Sequence, residues 1–159
     1  MKIYKRSQLS ERDLQGLQQE IEILQHVASN YIIRLYNDFE DKRYIYLATE
    51  LMSGGDLFER IASKRNYVEQ DAREACRKLL EAIAHCHSRM IVHRDLKPEN
   101  LFLSNGNDDS DLKVGDFGFA TSVAPTDDSL TTKCGTPTYV APEILLGRRY
   151  GTYKDGSNK

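Results

Sequence analysis

The stretch His93-Arg94-Asp95-Leu96-Lys97-Pro98-Glu99-Asn100 gathers a carboxylate, an ammonium and an amide within one short turn of chain. Asp116-Phe117-Gly118 follows, its aspartate 21 residues beyond Asp95, and then Ala141-Pro142-Glu143. Asp95 or Asp116 seen alone reads as a turn residue and Asn100 as a cap. Three ordered motifs at these separations do not arise by chance.

Working outward, periodicity predicts the elements around these motifs. Over 70–89, Ala72, Ala75, Cys76, Leu79, Leu80, Ile83 and His87 recur at helical spacing, an apolar stripe about five turns long that must pack on something large. Before it, Gly54-Gly55 breaks the chain, and Asp56 with Glu59 forms a cap pattern ahead of Leu57, Phe58 and Ile61, predicting a short helix. Residues 32–36 and 43–50, rich in Ile, Tyr and Leu, flank a polar turn over 37–42 and read as an antiparallel pair. Ser10 with Asp13 is a capping box, and Leu14, Leu17, Ile21 and Leu24 continue it into a helix over about 11–27.

Downstream, 100–104 and 112–114 are short strand-like runs joined by an acidic turn over 105–111. Asn105, Asn107, Asp109 and Asp111 alternate as oxygen donors, but the glycine is misplaced for a calcium loop and no closing glutamate follows, so the segment reads as a solvated hairpin loop. Few regular elements are legible after Phe119. The pattern is α+β, a small antiparallel sheet with one helix followed by a mainly helical part.

Composition narrows the classes. With 159 residues, 18.2 kDa, 40% hydrophobic and 29% charged side chains, the chain has the make-up of one globular domain, which excludes disorder and collagen-like repeats. A net charge of -2 from 22 basic and 24 acidic residues lacks the basic excess that binds a phosphate backbone, so nucleic acid is not an expected partner. No apolar run approaches the roughly 18 residues of a membrane helix, and the first residues carry no signal-peptide core. No membrane partner is expected, and the cytoplasm, or the nucleus, is the expected location. Cys76, Cys86 and Cys134 make an odd count without a C-x-x-C pair, and the first two lie about 15 Å apart on one predicted helix, so all three read as ordinary small apolar residues.

The H-R-D, D-F-G and A-P-E motifs together resemble those of eukaryotic protein kinases. The resemblance implies a partial two-lobe kinase fold, with 1–52 as upper-lobe remnant and hinge and 53–159 as an incomplete lower lobe. It implies Mg·ATP-dependent phosphorylation of serine or threonine, with ATP and Mg2+ as cofactors. Asp95 is then the group that accepts the proton of the attacking hydroxyl, Lys97 meets the transferred phosphate, and Asn100 and Asp116 are the magnesium ligands. Met1-Lys2-Ile3 is similar to the end of the V-A-I-K strand, making Lys2 the phosphate-binding lysine and Glu20 its helix partner. Glu50 and Met52 match backbone contacts to the adenine edge, Thr49 the gatekeeper position, and Asp56 the ribose-contacting acid, compatible with its cap role. Phe102 matches a position under the adenine usually held by a smaller aliphatic residue.

Between Gly118 and Ala141 the chain is similar to an activation loop, with Thr132 at the phosphorylated position and Arg94 the cation such a phosphate would pair with. An upstream activating kinase is the partner this implies. Residues 54–61 and 134–143 are most similar to the calcium/calmodulin-dependent kinase group. Asp56, Glu59 and Glu99 would then offer carboxylates to a basic residue upstream of the phosphoacceptor in a protein or peptide substrate.

The resemblance covers essentially the whole chain and implies that the chain spans only the middle of a kinase, an expectation of truncation at both ends. No G-x-G-x-x-G-x-V loop precedes Lys2, and the segment 150–155 resembles the approach to a large lower-lobe helix. Marginal stability and exposed apolar surface are expected. Two functions follow: a serine/threonine kinase, or a catalytically inactive fragment that binds partners or competes for substrates. A P-loop NTPase is excluded, since no G-x-x-x-x-G-K-[ST] occurs.

Overall fold

Ser10 caps the first helix as its spacing predicts. Its hydroxyl accepts the Asp13 N–H, and the Asp13 carboxylate accepts the Ser10 N–H, so helix α1 runs Glu11–His26. These coordinates form a computed structural model that describes residues 1–64, 66–106, 111–124 and 130–151. The middle of the acidic turn and the segment after Gly151 lie outside the described residues.

Strand β1 (Lys2–Lys5) pairs antiparallel with β3 (Tyr44–Thr49), which pairs on its other edge with β2 (Leu35–Glu40). The expected hairpin therefore forms, but its first strand lies about four residues later than 32–36. Ile32 is withdrawn into the core, where it bridges Val114 and is 1% exposed. Asp41 then makes the turn, its Oδ1 accepting the N–H groups of Arg43 at 2.6 Å and Tyr44 at 2.7 Å. Asn37 and Asp38 thus become residues of an edge strand, where polar side chains reach water. Leu17 and Ile21 of α1 pack on Ile45 and Leu47 of β3, closing a small apolar cluster.

Asp56 caps helix α2 (Leu57–Ser63) by accepting the Glu59 N–H at 2.8 Å. Helix α3 spans Glu69–Ser88, within one residue of its expected limits. Its buried stripe is narrower than the sequence suggested. Ala75, Ala82 and Cys86 face the core, Leu79 and Ile83 are half-buried, and Leu80 is 64% exposed. At about 100° per residue, Leu80 points some 140° away from Ala75, and the adjacent Cys76 also turns out to solvent. Cys76 is therefore not the buried apolar residue expected, whereas Cys86 is. No cysteine is paired.

Three short strands complete the frame: β4 (Ile91–Val92), β5 (Leu101–Leu103) and β6 (Leu112–Val114), with β7 (Thr121–Ser122) returning to pair with β4. β5 and β6 pair antiparallel, as expected. Helix α4 (Pro142–Leu145) is one short turn. Ile23, Leu24 and Val27 of α1, Ala82 and Cys86 of α3, Leu103 and Val114 of the hairpin, and Phe117 belong to one larger core. Each large side chain buried there contributes about 1.5 to 3 kcal/mol, so this cluster fixes the 93–117 segment in place. Among the described residues no helix is long and apolar enough to cross a membrane.

Candidate functional site

The loop after β4 cannot move independently of the strand hairpin. The buried His93 ring bonds the Gly115 carbonyl through Nε2 at 3.0 Å and accepts the Asp95 N–H through Nδ1 at 3.3 Å. Gly115 N–H in turn donates to the Asn100 carbonyl at 2.9 Å, and Phe117 packs edge-on against His93 with ring centroids 4.7 Å apart. Burial holds the His93 pKa below the usual imidazole value, against the opposing pull of the Gly115 carbonyl and nearby Asp116 and Asp95. The ring is therefore neutral and structural.

On this frame Asp95 is buried and fully engaged. Its Oδ1 accepts the Thr136 hydroxyl at 2.7 Å, while Oδ2 accepts Asn100 Nδ2 at 3.1 Å and lies 3.3 Å from Lys97 Nζ. Lys97 also donates to Thr136 Oγ1 at 2.8 Å, closing a triangle. Burial pushes the Asp95 carboxyl up, but hydrogen bonds from Thr136 and Lys97, the lysine charge and Asn100 outweigh it and hold the pKa below the usual carboxylate range. Asp95 is thus an ionised acceptor held by three side chains.

Lys2 and Glu20, 18 residues apart, meet at 3.3 Å, and Lys2 Nζ lies 3.9 Å from Asp116 Oδ1. Burial raises the Glu20 carboxyl pKa, with Lys2 opposing; the Lys2 ammonium is raised by Glu20, Tyr4 and Asp116 despite its own desolvation. A cation on the sheet is thereby aimed between a helix carboxylate and Asp116, whose side chain is 46% exposed. Arg94 and Asp116 both sit in the left-handed region, at φ 69° and 55°. For a residue such as Arg94 this costs about 1 to 2 kcal/mol, which the packed core sustains at the site.

Asn100 turns its amide nitrogen to Asp95, leaving its carbonyl oxygen on the other side, and Asp116 offers a partly open carboxylate. Among the described residues no cluster of three or more metal-binding side chains exists. That donor set fits a hard cation completed by water and phosphate oxygens, as magnesium is commonly held.

The segment 50–56 is fastened to the β5–β6 hairpin. Glu50 pairs with Lys113 of β6 at 2.5 Å and accepts the Arg34 N–H through its other oxygen. Met52 accepts a weak bond from Ser104 Oγ at 3.8 Å, and Gly54 N–H donates to the Leu103 carbonyl. A side chain at Gly54 would lie 2.2 Å from the Asn105 carbonyl oxygen, so only glycine fits this approach. Asp56 bridges Phe102 through the backbone while its carboxylate serves the cap. Sequence reasoning overlooked Thr136 as a partner of Asp95 and Lys113 as a partner of Glu50. A lysine between Leu112 and Val114 on a short strand was the one available signal for the latter.

Thr132 lines a cleft of about 870 Å3 with Arg94, Lys133 and, from α1, Arg12. Arg94 Nε donates to the Phe119 carbonyl at 2.6 Å, and Tyr150 donates to the Thr132 carbonyl at 2.6 Å.

The family described as Protein kinase domain matches residues 1–156. A Caenorhabditis elegans relative, calcium/calmodulin-dependent protein kinase type 1, is 43% identical over 143 residues, covering 89% of this chain and 40% of its own. A Plasmodium falciparum relative named probable serine/threonine-protein kinase 2 is 46% identical over 136 residues, covering 86% of this chain and 26% of its own. A Dictyostelium discoideum relative, named a probable myosin light chain kinase, is 40% identical over 157 residues, covering 98% of this chain and 40% of its own. The chain spans two fifths or less of the length of these relatives.

Proposed function

The chain belongs to the protein kinase domain family, and from that membership we propose that it transfers the γ-phosphoryl group of Mg·ATP to serine or threonine hydroxyls of proteins. The observation that carries the reading is Asp95, ionised and buried, held by Thr136, Lys97 and Asn100 within the same core that positions Asp116. Phosphoryl transfer has a loose transition state, so orientation and neutralisation of charge dominate its catalysis. Magnesium, when bound, supplies charge neutralisation at the phosphate oxygens.

Asn100 and Asp116 are the residues that would hold the metal, and Lys2, kept in place by Glu20, would pair with phosphate. Glu50 and Met52 would meet the adenine edge through their backbones, Asp56 the ribose, and Phe102 the face of the base. Asp95 orients the acceptor hydroxyl and takes its proton as the oxygen bonds to phosphorus and the bond to the departing ADP oxygen breaks. Lys97 lies beside it as a cation for the moving phosphoryl group.

Substrates carry arginine or lysine upstream of the phosphoacceptor. The carboxylates of Asp56, Glu59 and Glu99 are the groups that would meet such a basic side chain. An upstream kinase acting at Thr132 is part of the same reading, and the cytoplasm or nucleus is its setting.

The test is phosphate transfer from labelled Mg·ATP to a basic serine peptide by the 159-residue chain, with Asp95→Asn alongside. Loss of a positioned base costs about 10²- to 10⁴-fold. Transfer that falls by this factor supports the enzyme. Folded protein that transfers nothing would move the chain to a non-catalytic binding role.

A further inference from the structure

Thr131, Thr132 and Lys133 are all exposed, so burial of their side chains does not fix the course of this stretch. Just downstream the chain is fixed to the loop after β4. A Cβ on Gly135, which sits at φ 101°, would lie 2.8 Å from the Arg94 carbonyl oxygen, and Thr136 bonds Asp95. Upstream, the stretch is fastened to residues 145–150. Leu130 and Tyr150 exchange both backbone hydrogen bonds, at 3.2 and 3.0 Å, and Lys133 Nζ donates to the Leu145 carbonyl at 3.2 Å. The Tyr150 hydroxyl donates to the Thr132 carbonyl at 2.6 Å and lies 3.7 Å from Cys134 Sγ.

Tyr150 is half-buried and lines a cavity of about 210 Å3 with Val92, Leu96, Val140 and Ile144, beside Asp95 and Thr136. Its ring is thus seated against the frame of the catalytic loop while its hydroxyl reaches the exposed stretch. Burial and the hydrogen bond with Cys134 push the phenol pKa up, against the pull of the Arg94 guanidinium, so the hydroxyl stays protonated and remains a donor near neutral pH. Arg94 also lines the cleft that holds Thr132, so one arginine stands beside both the Tyr150 hydroxyl and Thr132.

We propose that Tyr150 is a positioning residue that holds residues 130–136 in place for the protein substrate before Thr132 carries a phosphate. This deepens the kinase reading and rests on it, with Thr132 as the phosphorylated residue. The hydroxyl holds main chain, at the Thr132 carbonyl, so its grip is independent of what the Thr132 side chain carries. A phosphate there engages Arg12, Arg94 and Lys133, a second set of tethers on the same stretch. The two devices overlap, and the hydroxyl matters most in the unphosphorylated chain. By steadying this stretch it keeps Thr136 on Asp95, so it acts on the acceptor side of the reaction and leaves nucleotide binding unchanged.

The experiment compares the native 159-residue chain with Tyr150→Phe, each unphosphorylated and with phosphothreonine incorporated at position 132. Transfer from Mg·ATP to the basic serine peptide is the readout. Tyr150→Phe keeps the ring and its packing and removes only the hydroxyl. In the unphosphorylated chain it lowers kcat about threefold to tenfold, the worth of one ordinary hydrogen bond, at unchanged KM for ATP. In the phosphorylated chain the loss is under about twofold, because the cations on the phosphate hold the stretch instead. Trypsin cleavage after Lys133 in the unphosphorylated variant quickens about threefold to tenfold, as local opening becomes easier.

A merely structural role would lower turnover equally in the two phosphorylation states, and that result overturns the proposal. A raised KM for ATP, unchanged turnover in both states, or a native chain that works only when phosphorylated overturns it as well. If neither native form transfers phosphate although both are folded, the kinase reading fails and the positioning role falls with it. Trypsin cleavage at an unaltered rate removes the tether itself, whichever way the transfer assay comes out.

Discussion

Thr136 donates its hydroxyl to Oδ1 of Asp95 at 2.7 Å across 41 residues of chain, and Lys97 donates to the same hydroxyl at 2.8 Å. The tie joins the segment before Ala141-Pro142-Glu143 to the loop after β4, so the geometry of the Asp95 carboxylate depends on how the intervening chain is placed. Thr136 contributes to keeping the Asp95 pKa below its ordinary value. A depressed carboxylate lends stability above its unfolded value near 3.9, which is lost as pH falls through the folded value. Thr136→Val removes that support, so acid unfolding moves to higher pH and stability at pH 7 falls by about 1 to 2 kcal/mol. Thr136→Ser retains both. Urea titrations between pH 3 and 7 check this.

Lys2 offsets the burial of Glu20. The Glu20 carboxyl has a raised pKa, so its protonated form suits the fold and stability declines as pH rises above the ordinary glutamate value of about 4.5. Lys2→Met steepens that decline. The cost at pH 7 is about 1 to 2 kcal/mol, less than for a fully buried pair because the lysine side chain is 43% exposed. Glu20→Gln added to Lys2→Met flattens the profile. Melting temperatures at pH 5 and pH 8 read the effect, and an unchanged difference between them would remove it.

His93 is held neutral by burial, and His87 is shifted in the same direction by the same cause. A depressed histidine leaves stability unaffected above the unfolded value of about 6.5. Below it the unfolded chain takes up protons first, and stability falls. The two histidines therefore make the native chain less stable at pH 5.5 than at pH 7.5, opposing the contribution of Glu20. His93→Gln lowers stability at pH 7.5 and shrinks the difference between the two. Equal slopes in the native chain and the variant would count against a buried neutral ring.

Phosphorylation of Thr132 places a dianion in the cleft lined by Arg12, Arg94 and Lys133. Turnover on the basic peptide rises severalfold in the phosphorylated chain, and Arg94→Gln removes most of the gain. Equal turnover before and after phosphorylation would dispose of this regulatory role.

Lys113 and Glu50 connect β6 to the segment that would meet adenine, both side chains being largely buried. Lys113→Met leaves the Glu50 carboxylate without its cation and loosens that segment. The outcome is a KM for ATP raised about threefold to tenfold with little change in kcat, while Lys113→Arg restores it. A fall in kcat at unchanged KM would contradict a positioning role.

Much of the local structure was legible in particular residues. The Ser10 and Asp56 caps satisfy helix N–H groups within three residues, so a local pattern suffices to locate α1 and α2. The α3 limits followed from apolar recurrence, but which residues it buried did not, and Leu80 and Cys76 lie outside the stripe that packs. The first strand of the hairpin was misplaced because Ile32 looks like a strand residue wherever it lies, and only its contact with Val114 explains its withdrawal. Lys2 and Glu20 were paired through resemblance alone, and the fold brings them to 3.3 Å.

The sequence by itself determined which chemical groups the protein carries, their order, and the short-range patterns that start its helices, because caps and amphipathic repeats act over a few residues. Only the tertiary structure decided that Thr136 reaches Asp95, that Lys113 reaches Glu50 and that Phe102 rests on Gly115. Those contacts join residues 13 to 63 positions apart. They depend on how apolar faces are buried together, a non-directional force that no local spacing records.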